Sequence, residues 1–474
     1  MTEILPVSSD VAPSAIARNQ RELWGQPIGL WVLTLTEGWV GFSLYGLQAI
    51  LALYLTDHLL QPEHSGGVLG LAPLERFVSV LYAPIGPRAM AGAITGLFLA
   101  LIYAAPLLGG FLADRVLGQT RTILLGAVLM TAGHFLMAFD WSFVLALGLL
   151  LAGLGMAGGL RAQVGALYAL SDRRRSDAYQ IYAMGLQVAV MVSPVLCASL
   201  AQIAWHWGFL AAGLGMLIGL VVYLIGRRWL PSVAASANSF SGTEEKHKRP
   251  ALTSREKRTT ALLLVLVPVM ALGAVPNSEI FDGYLLWGRE HFQLHLLGYE
   301  MPVSDLVSLD GFVSALCSVG VLWFWKSYAR RRQDVSEIAK VAIGTFIAAF
   351  APLLLALGAW LSPGLHEVSL FWGVAFHIVN DIGFSMYYAI GMALFSRAAP
   401  VSINTVLVAC FSLHLFLSNL LIGKLATLLG RMSDVSFWLL HSGAALLAAA
   451  ILGFCAVRFR ELLAPEQQML PPIS

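Results

Sequence analysis

Long runs of apolar residues set the narrowest limits on how this chain can fold. A bilayer core is about 30 Å thick, and a helix of about 20 residues spans it. A helix is also a structure in which a segment satisfies its own backbone hydrogen bonds inside lipid. Twelve spans are predicted: residues 28–56, 89–113, 120–139, 142–170, 178–204, 207–229, 259–287, 306–327, 336–360, 367–396, 402–429 and 435–458.

Composition supports an all-α membrane protein. Of the 474 residues, 58% are hydrophobic and only 12% are charged. A soluble globular protein carries about 25% charged residues, so this chain cannot build an ordinary water-exposed surface. We expect a multi-pass protein surrounded by lipid bilayer, with no nucleic-acid partner and a monomeric state.

The basic residues indicate which side of the membrane holds the termini. Twelve spans place both termini on one side, and 23 of the 29 Lys and Arg residues fall in the loops and tails of that side. Cytoplasmic loops carry such an excess. The distribution therefore predicts that both termini are cytoplasmic.

The chain divides into two similar halves around a polar connection. Residues 231–257 are rich in Ser, Ala and charge and have no apolar period, which indicates a linker. The predicted organisation is a tail (1–27), a six-helix bundle (28–230), this linker, a second six-helix bundle (258–460) and a tail (461–474). Two bundles with a substrate site between them are typical of transporters.

Two charged residues deep in the first half are candidates for a transport pathway. Glu37 lies in the first span and Arg161 in the fourth. An ionisable residue inside a membrane span is by default a functional candidate. Because Arg is always charged, Arg161 needs a partner or a substrate anion, and Glu37 is the best protein candidate. A fixed buried ion pair is the alternative.

The seventh span, "VPNSEIFDGYLLW" (residues 275–287), holds two further acids. Pro276 and Gly283 loosen the helix around Glu279 and Asp282, and irregular backbone at this depth is tolerated where it lines a cavity or packs on protein. Either carboxylate could exchange a proton. The alternative for Asp282, which lies nearer the end of the span, is simple solvation.

Chemistry other than transport has little support. No nucleophile–base set, phosphate-binding loop or metal-ligand cluster can be recognised, so we expect no enzyme activity, no metal and no cofactor, with protons as the coupling ion. The run "GLGMAGG" (residues 153–159) lies inside a span and follows no strand. It predicts close helix packing.

A motif between the second and third spans suggests a family. "PLLGGFLADRVLGQTRT" (residues 106–122) resembles the gate motif of the major facilitator superfamily. Its version here, with "YAAPLLGG" before it, is similar to that of the proton-dependent oligopeptide transporters. The resemblance implies a major facilitator fold and assigns Gly110, Asp114 and Arg115 to a cytoplasmic gate.

Other segments resemble the same family. "GQPIGLWVLTLTEGW" (residues 25–39) is similar to its first helix, "HWGFLAAGLGMLIGLVVY" (206–223) to its sixth, and "RAAP" (397–400) to the end of its tenth. The family's first helix carries a second Glu and an Arg, which Val40 and Gly41 replace here. Phe384 stands where the family's tenth helix has the Glu that receives the peptide amino group.

The resemblance implies a proton-coupled importer of di- and tripeptides in the cytoplasmic membrane. Arg161 would pair with Glu37 when the site is empty and bind the peptide carboxylate when it is loaded. Asp381 could replace the missing Glu, or it could only pair with His377. The implied proton-coupling residues are Glu37, Glu279 and Asp282. The implied substrate-binding residues are Tyr45, Tyr103, Arg161, Gln163, Gln187, Asn277, Asp310, Asp381, Tyr388 and Phe411.

Two other functions stay open from the sequence. The first is a carrier of another small solute, such as nitrate, a drug or an amino-acid conjugate. The second is a membrane sensor or binding protein that no longer transports, because the first helix has lost part of its charge set.

Overall fold

The computed structural model describes residues 21–168, 172, 174–230, 252–296 and 298–463, and these are almost entirely helical. The predicted linker and both tails lie mostly outside the described residues. Two short antiparallel strand pairs are β1 with β2 and β3 with β4. Their bounds are β1 Glu22–Leu23, β2 Gln26–Pro27, β3 His295–Leu296 and β4 Tyr299–Glu300.

The described residues of the first half, the N half, contain nine α-helices. Their bounds are α1 Ile28–Tyr54, α2 Pro62–Ser65, α3 Leu71–Tyr82, α4 Pro87–Leu112, α5 Gln119–Leu136, α6 Phe143–Ala157, α7 Leu160–Ala166, α8 Arg174–Ile203 and α9 Trp205–Gly226. A π-helical turn, Leu55–Leu59, continues α1, and another, Ala113–Leu117, continues α4.

In the part of the second half, the C half, that the structure describes there are eleven α-helices. Their bounds are α10 Ser254–Gly273, α11 Val275–Ser278, α12 Gly283–His291, α13 Asp305–Ala329, α14 Glu337–Ala348, α15 Phe350–Leu361, α16 Leu370–Ala398, α17 Asn404–Phe411, α18 Leu413–Ala426, α19 Asp434–Arg458 and α20 Arg460–Leu463. The first begins with a capping box, in which Thr253 and Glu256 satisfy each other's backbone N–H groups.

Ten helical segments of the described residues are long and apolar enough to cross a membrane. An eleventh consists of α10 and the segment Val275–Phe281, which meet at a bend of 52°. The seventh span is therefore broken where the proline and glycine predicted it. The predicted third span corresponds to α5, which is not among the eleven, so the count of twelve stays a prediction.

Glycines bring the helices of the N half close together. A Cβ atom added to Gly109 of α4 would lie 1.8 Å from the carbonyl oxygen of Gly155 in α6. A Cβ atom on Gly153 would lie 2.6 Å from the carbonyl oxygen of Gly126 in α5. The "GLGMAGG" run is thus confirmed as a helix-packing motif. Its last two glycines separate α6 from α7 and place Arg161 in the first turn of α7.

The two halves meet on the side opposite the termini, which we call the far side. Gly96 of α4 packs on Gly423 of α18, where an added Cβ atom would lie 2.4 Å from the partner's Cα atom. Arg88 donates to Glu290 across the halves at 2.6 Å, and Arg289 pairs with Asp57. These contacts close the space between the halves toward the far side.

Candidate transport site

The centre of the N half holds an acid, a base and a tyrosine. Glu37 of α1 and Arg161 of α7 lie within range of each other's charge, and Tyr182 of α8 is close to both. Among the described residues, Glu37 and Arg161 form no ion pair within 4 Å. The Tyr182 hydroxyl is buried without a hydrogen bond of ordinary geometry. Arg161 is exposed although protein surrounds it, as expected for a residue that lines a cavity.

The glycine that replaces the family's arginine has a structural consequence. A Cβ atom added to Gly41 would lie 2.5 Å from the Leu186 side chain of α8. One turn earlier, Gly38 packs on the backbone of Gly185. Because position 41 has no side chain, α8 fills the space beside α1. The lost charge is replaced by helix packing, and Arg161 is the cation that faces Glu37.

Three tyrosines connect the halves at this level. Tyr45 of α1 interacts electrostatically with Tyr388 of α16, Arg161 and Asp310. Tyr103 of α4 interacts with Tyr45 and Tyr388. The Tyr45 ring also packs on Phe281 of the C half, with centroids 5.9 Å apart. The structure thus brings these predicted residues together around one central space.

In the C half, Asp310 belongs to a buried series of hydrogen bonds. His377 of α16 bonds to Asp310 of α13 through Nδ1 at 2.9 Å and to Tyr284 of α12 through Nε2 at 3.0 Å. His377 is fully buried and Asp310 is 9% exposed. A carboxylate beside an imidazole can share or pass a proton while its other oxygen stays available.

Asp381 lies beside these hydrogen-bonded residues. It does not form an ion pair with His377, which was one of the two roles expected for it from the sequence. Its Oδ1 atom accepts a hydrogen bond from Asn380 at 3.2 Å, while its Oδ2 atom is buried without a partner. Asn380 also donates to Asn277 of α11 at 3.1 Å. The predicted residues Asn277, Asp310 and Asp381 therefore belong to one polar layer.

Glu279 has a partner that the sequence did not suggest. Its Oε2 atom lies 3.3 Å from Nε2 of His441 in α19, and both side chains are fully buried. Gly283 provides the room, since a Cβ atom there would lie 2.0 Å from Oε1 of Glu279. The helix break and the glycine together bring the carboxylate and the imidazole side by side in a closed space, without a hydrogen bond of ordinary geometry between them.

Asp282 is fully buried, and both carboxylate oxygens lack a hydrogen-bond partner. Simple solvation of this residue is therefore wrong. Its Oδ1 atom faces Gly92 of α4, at 3.0 Å from an added Cβ atom, and Asp282 and Glu279 repel each other. An unpaired acid thus lies at the contact between the halves.

Two predicted binding residues, Gln163 and Phe411, have other positions, and for a third, Gln187, only the burial is defined. Gln163 is fully buried and exchanges hydrogen bonds with the Tyr223 hydroxyl of α9 at 2.9 and 3.1 Å, so it is not available to a ligand here. Phe411 is 1% exposed and lies behind Tyr388, with ring centroids 5.7 Å apart. Gln187 is half-buried in α8.

The predicted gate is described only in part. The side chains of Asp114 and Arg115 lie outside the described residues. Gly110 is exposed, and an added Cβ atom would meet nothing within 4 Å. Gly109 makes the close helix contact instead, because it faces α6.

Sequence reasoning missed the roles of His377, Tyr284 and His441. Each lies in an apolar run, and a histidine inside such a run was the available signal. It also missed two groups with the donor atoms of a metal site: His58, His64 and Asp140, and Asp310, His377 and Asp381. In each group, one member, Asp140 or Asp310, is far from the other two in the chain.

Comparison with known proteins places this architecture in a family. The pattern of the Major Facilitator Superfamily matches residues 77–419. A di-/tripeptide transporter of Lactococcus lactis subsp. cremoris is 32% identical over 81% of this chain and 69% of its own length. The peptide transporter YePEPT of Yersinia enterocolitica is 25% identical over 80% of this chain and 83% of its own length.

Solved structures share the fold. A crystal structure of the peptide transporter POT in complex with sulfate has a TM-score of 0.82 at 22% identity, and the match covers 96% of this chain and 99% of that one. A POT family transporter in complex with 5-aminolevulinic acid has a TM-score of 0.73 at 21% identity, over 93% and 98%. The chain is therefore a multi-pass membrane protein of the Major Facilitator Superfamily and belongs, within it, to the proton-dependent oligopeptide transporters.

Proposed function

We propose that this protein imports di- and tripeptides together with protons across the cytoplasmic membrane, by alternating access between its halves. The observation that carries the proposal is the placement of opposite charges around one central space. Arg161 faces it from the N half, and Asp310 and its hydrogen-bonded partners face it from the C half.

A small peptide is a zwitterion, and this placement suits one. Arg161 and Glu37 do not form a direct ion pair, so the guanidinium can bind a peptide carboxylate through two parallel hydrogen bonds. At the other end, Asp310 or Asp381 can accept the ammonium group. A ligand that touches both halves favours a closed state to the extent that it binds that state more tightly.

The tyrosines between the two charged ends suit the peptide backbone. Tyr45, Tyr103 and Tyr388 each present a hydroxyl that can donate and accept hydrogen bonds. Their rings supply apolar surface to side chains of different size. Such a lining can accommodate peptides whose side chains differ between the two charged ends.

Glu279 and His441 are the proposed proton carriers. An isolated charge in a buried site is costly, but one proton shared between a carboxylate and an imidazole leaves either a neutral or an ion-paired state. Asp282 lies one turn from Glu279 and against α4, where the halves touch. Protonation there can therefore change how firmly the far side closes.

The direction of opening follows from the same contacts. The far side is closed by Gly96 on Gly423 and by the Arg88–Glu290 pair. The excess of basic residues assigns the opposite side to the cytoplasm. On this proposal, the described conformation faces inward.

Uptake into proteoliposomes tests the function. Labelled dialanine should accumulate when an inward proton gradient is imposed, and unlabelled dipeptides should compete. The variant Arg161→Gln should abolish uptake, whereas Arg76→Gln, at an exposed position of α3, should behave as the parent. Uptake that ignores both the gradient and competing dipeptides would contradict the proposal, and peptide binding without uptake would favour a sensor.

A further inference from the structure

A second cluster of donor atoms lies outside the transport path, on the far side of the N half. Nε2 of His58 is 2.8 Å from Oδ2 of Asp140, and Nδ1 of His64 is 3.9 Å from the same oxygen. The three donor atoms lie within 4.8 Å of one another. Asp140 belongs to the link between α5 and α6, so the fold joins it to the segment that follows α1.

The local backbone presents the two histidines together. His58 lies on the π-helical turn Leu55–Leu59, and His64 lies on α2 just beyond it. Their ring centroids are 3.9 Å apart, with an interplanar angle of 32°. Two protonated imidazoles at this distance would repel each other, whereas two neutral ones suit a metal ion.

The carboxylate is oriented by a neighbour that occupies Oδ1, while Oδ2 already lies in hydrogen-bond contact with Nε2 of His58. The Tyr54 hydroxyl donates to Oδ1 of Asp140 at 2.8 Å, and Tyr54 is 1% exposed. Oδ2 therefore points at both histidines. Hydrogen bonds of this kind, from a residue behind the ligand, fix ligand orientation in metal sites.

The spacing is close to that of a zinc site. Zinc–nitrogen and zinc–oxygen bonds of about 2.0–2.2 Å in a tetrahedron separate the ligand atoms by about 3.4 Å. The observed separations of 2.8 and 3.9 Å lie on either side of this value. The donor atoms all lie within 4.8 Å of one another, so binding one ion requires the side chains to rotate toward a common centre.

The cluster opens into a cavity that an ion can enter. The cavity has a volume of about 580 Å³, and His206 and Trp141 line it together with the three donor residues. His58, His64 and Asp140 expose 25%, 39% and 38% of their side chains. A fourth position for water is therefore accessible, as in zinc sites with three protein ligands.

We propose that this cluster binds one divalent transition-metal ion of the zinc class, with His58 Nε2, His64 Nδ1 and Asp140 Oδ2 as ligands. The two imidazole donors favour such ions over Mg²⁺ or Ca²⁺, which prefer oxygen ligands, and a carboxylate also binds zinc. The ion ties the end of α1 to the α5–α6 link. Asp57, adjacent to His58, is the residue that pairs with Arg289 of the C half, so the bound ion also steadies a contact between the halves.

Zinc titration of the purified full-length protein tests the site. The protein is stripped with a chelator in detergent and titrated with Zn²⁺ against a chromophoric competitor. We expect one ion per chain, with affinity at least tenfold lower in His64→Ala and about tenfold lower in Tyr54→Phe. Co²⁺ should give the visible absorption of a tetrahedral complex in the parent and lose it in His64→Ala.

A matched control separates this site from other histidines. His295→Ala removes an exposed histidine of β3 in the C half and should leave zinc affinity unchanged. Absence of stoichiometric binding would overturn the proposal, and so would binding that His64→Ala leaves intact, since the ion would then lie elsewhere. His64 is partly exposed, so the variant tests binding without removing core packing.

Discussion

The two halves hold their charges in different ways. In the N half, Arg161 is exposed in the central space, and Glu37 lies near it without a direct ion pair. In the C half, Glu279 and Asp310 are buried, and each lies beside a histidine. One half offers an exposed cation, and the other holds buried acids beside imidazoles.

Under the proposed function, this difference gives the halves separate tasks. A permanently charged guanidinium binds an anion at any physiological pH. A carboxylate next to an imidazole changes charge when a proton arrives or leaves. The N half is therefore suited to hold substrate, and the C half to couple substrate to protons. The following variants test that division, from the largest expected effect to the smallest.

The largest effect is expected for Arg161→Gln. Removing one partner of a desolvated charge pair costs about 2–5 kcal/mol, so peptide binding and uptake should fall by about 100-fold or more. Binding and initial uptake rates measure this. Arg161→Lys is the matched control, because lysine keeps the positive charge but lacks the planar fork of the guanidinium. Its peptide binding and uptake should lie between those of the parent and those of Arg161→Gln. Unchanged binding in Arg161→Gln would remove the N half from substrate recognition.

Glu279→Gln should separate binding from coupling. Glutamine keeps the shape of glutamate but cannot release a proton, so an imposed gradient should no longer accelerate uptake, while peptide still binds. Uptake with and without the gradient measures the difference. Glu300→Gln, at an exposed position of β4, should respond to the gradient as the parent does. A normal response in Glu279→Gln would place coupling elsewhere.

Asp310→Asn tests the end of the site that receives the amino group. The variant loses the carboxylate that bonds to His377. The preference for a free over an acetylated amino terminus should shrink by about tenfold, in line with 1–3 kcal/mol for a charged hydrogen bond. Competition with acetylated dialanine measures it. Asp305→Asn, in the first turn of the same helix, serves as control. If Asp310→Asn retains the preference for a free amino terminus, Asp381 is favoured as the residue that receives the amino group.

The smallest effect is expected for Gly96→Ala. Its Cβ atom would lie 2.4 Å from the backbone of Gly423, so the halves must separate on the far side. Overpacking costs about 1–3 kcal/mol, which shifts the conformational populations severalfold or more. Spin-label distances between Ser79 of α3 and Glu300 of β4 should lengthen. Gly148→Ala is the control, because a Cβ atom added there would meet nothing within 4 Å, and it should leave the spin-label distances unchanged. An unaltered distance in Gly96→Ala would contradict the closure of the far side by Gly96 and Gly423.

Much of the architecture could be predicted from the sequence because apolar length and loop charge are local properties. The spans, the break near Pro276 and the packing role of "GLGMAGG" all follow from residues adjacent in the chain. The deep acids and Arg161 could also be recognised, since a charge inside an apolar run is conspicuous. The family resemblance then supplied their expected neighbours.

The pairing of those residues could not be predicted in the same way. Glu279 meets His441 and Asp310 meets His377 because helices far apart in sequence pack side by side. Gln163 turns to Tyr223 instead of the central space for the same reason. Which face of a helix meets a neighbour depends on small differences in packing, and an almost uniformly apolar helix carries little periodic signal to reveal it.

The amino-acid order thus specified a membrane protein with Glu37 and Arg161 in one half and further acids in the other. Chain folding then placed Glu279 and Asp310 beside histidines, filled the space beside Gly41 with α8, and joined His58, His64 and Asp140 on the far side. The physical reason is that hydrophobicity sums along the chain, whereas a hydrogen bond or a metal ligand set requires atoms within about 3 Å of each other in space.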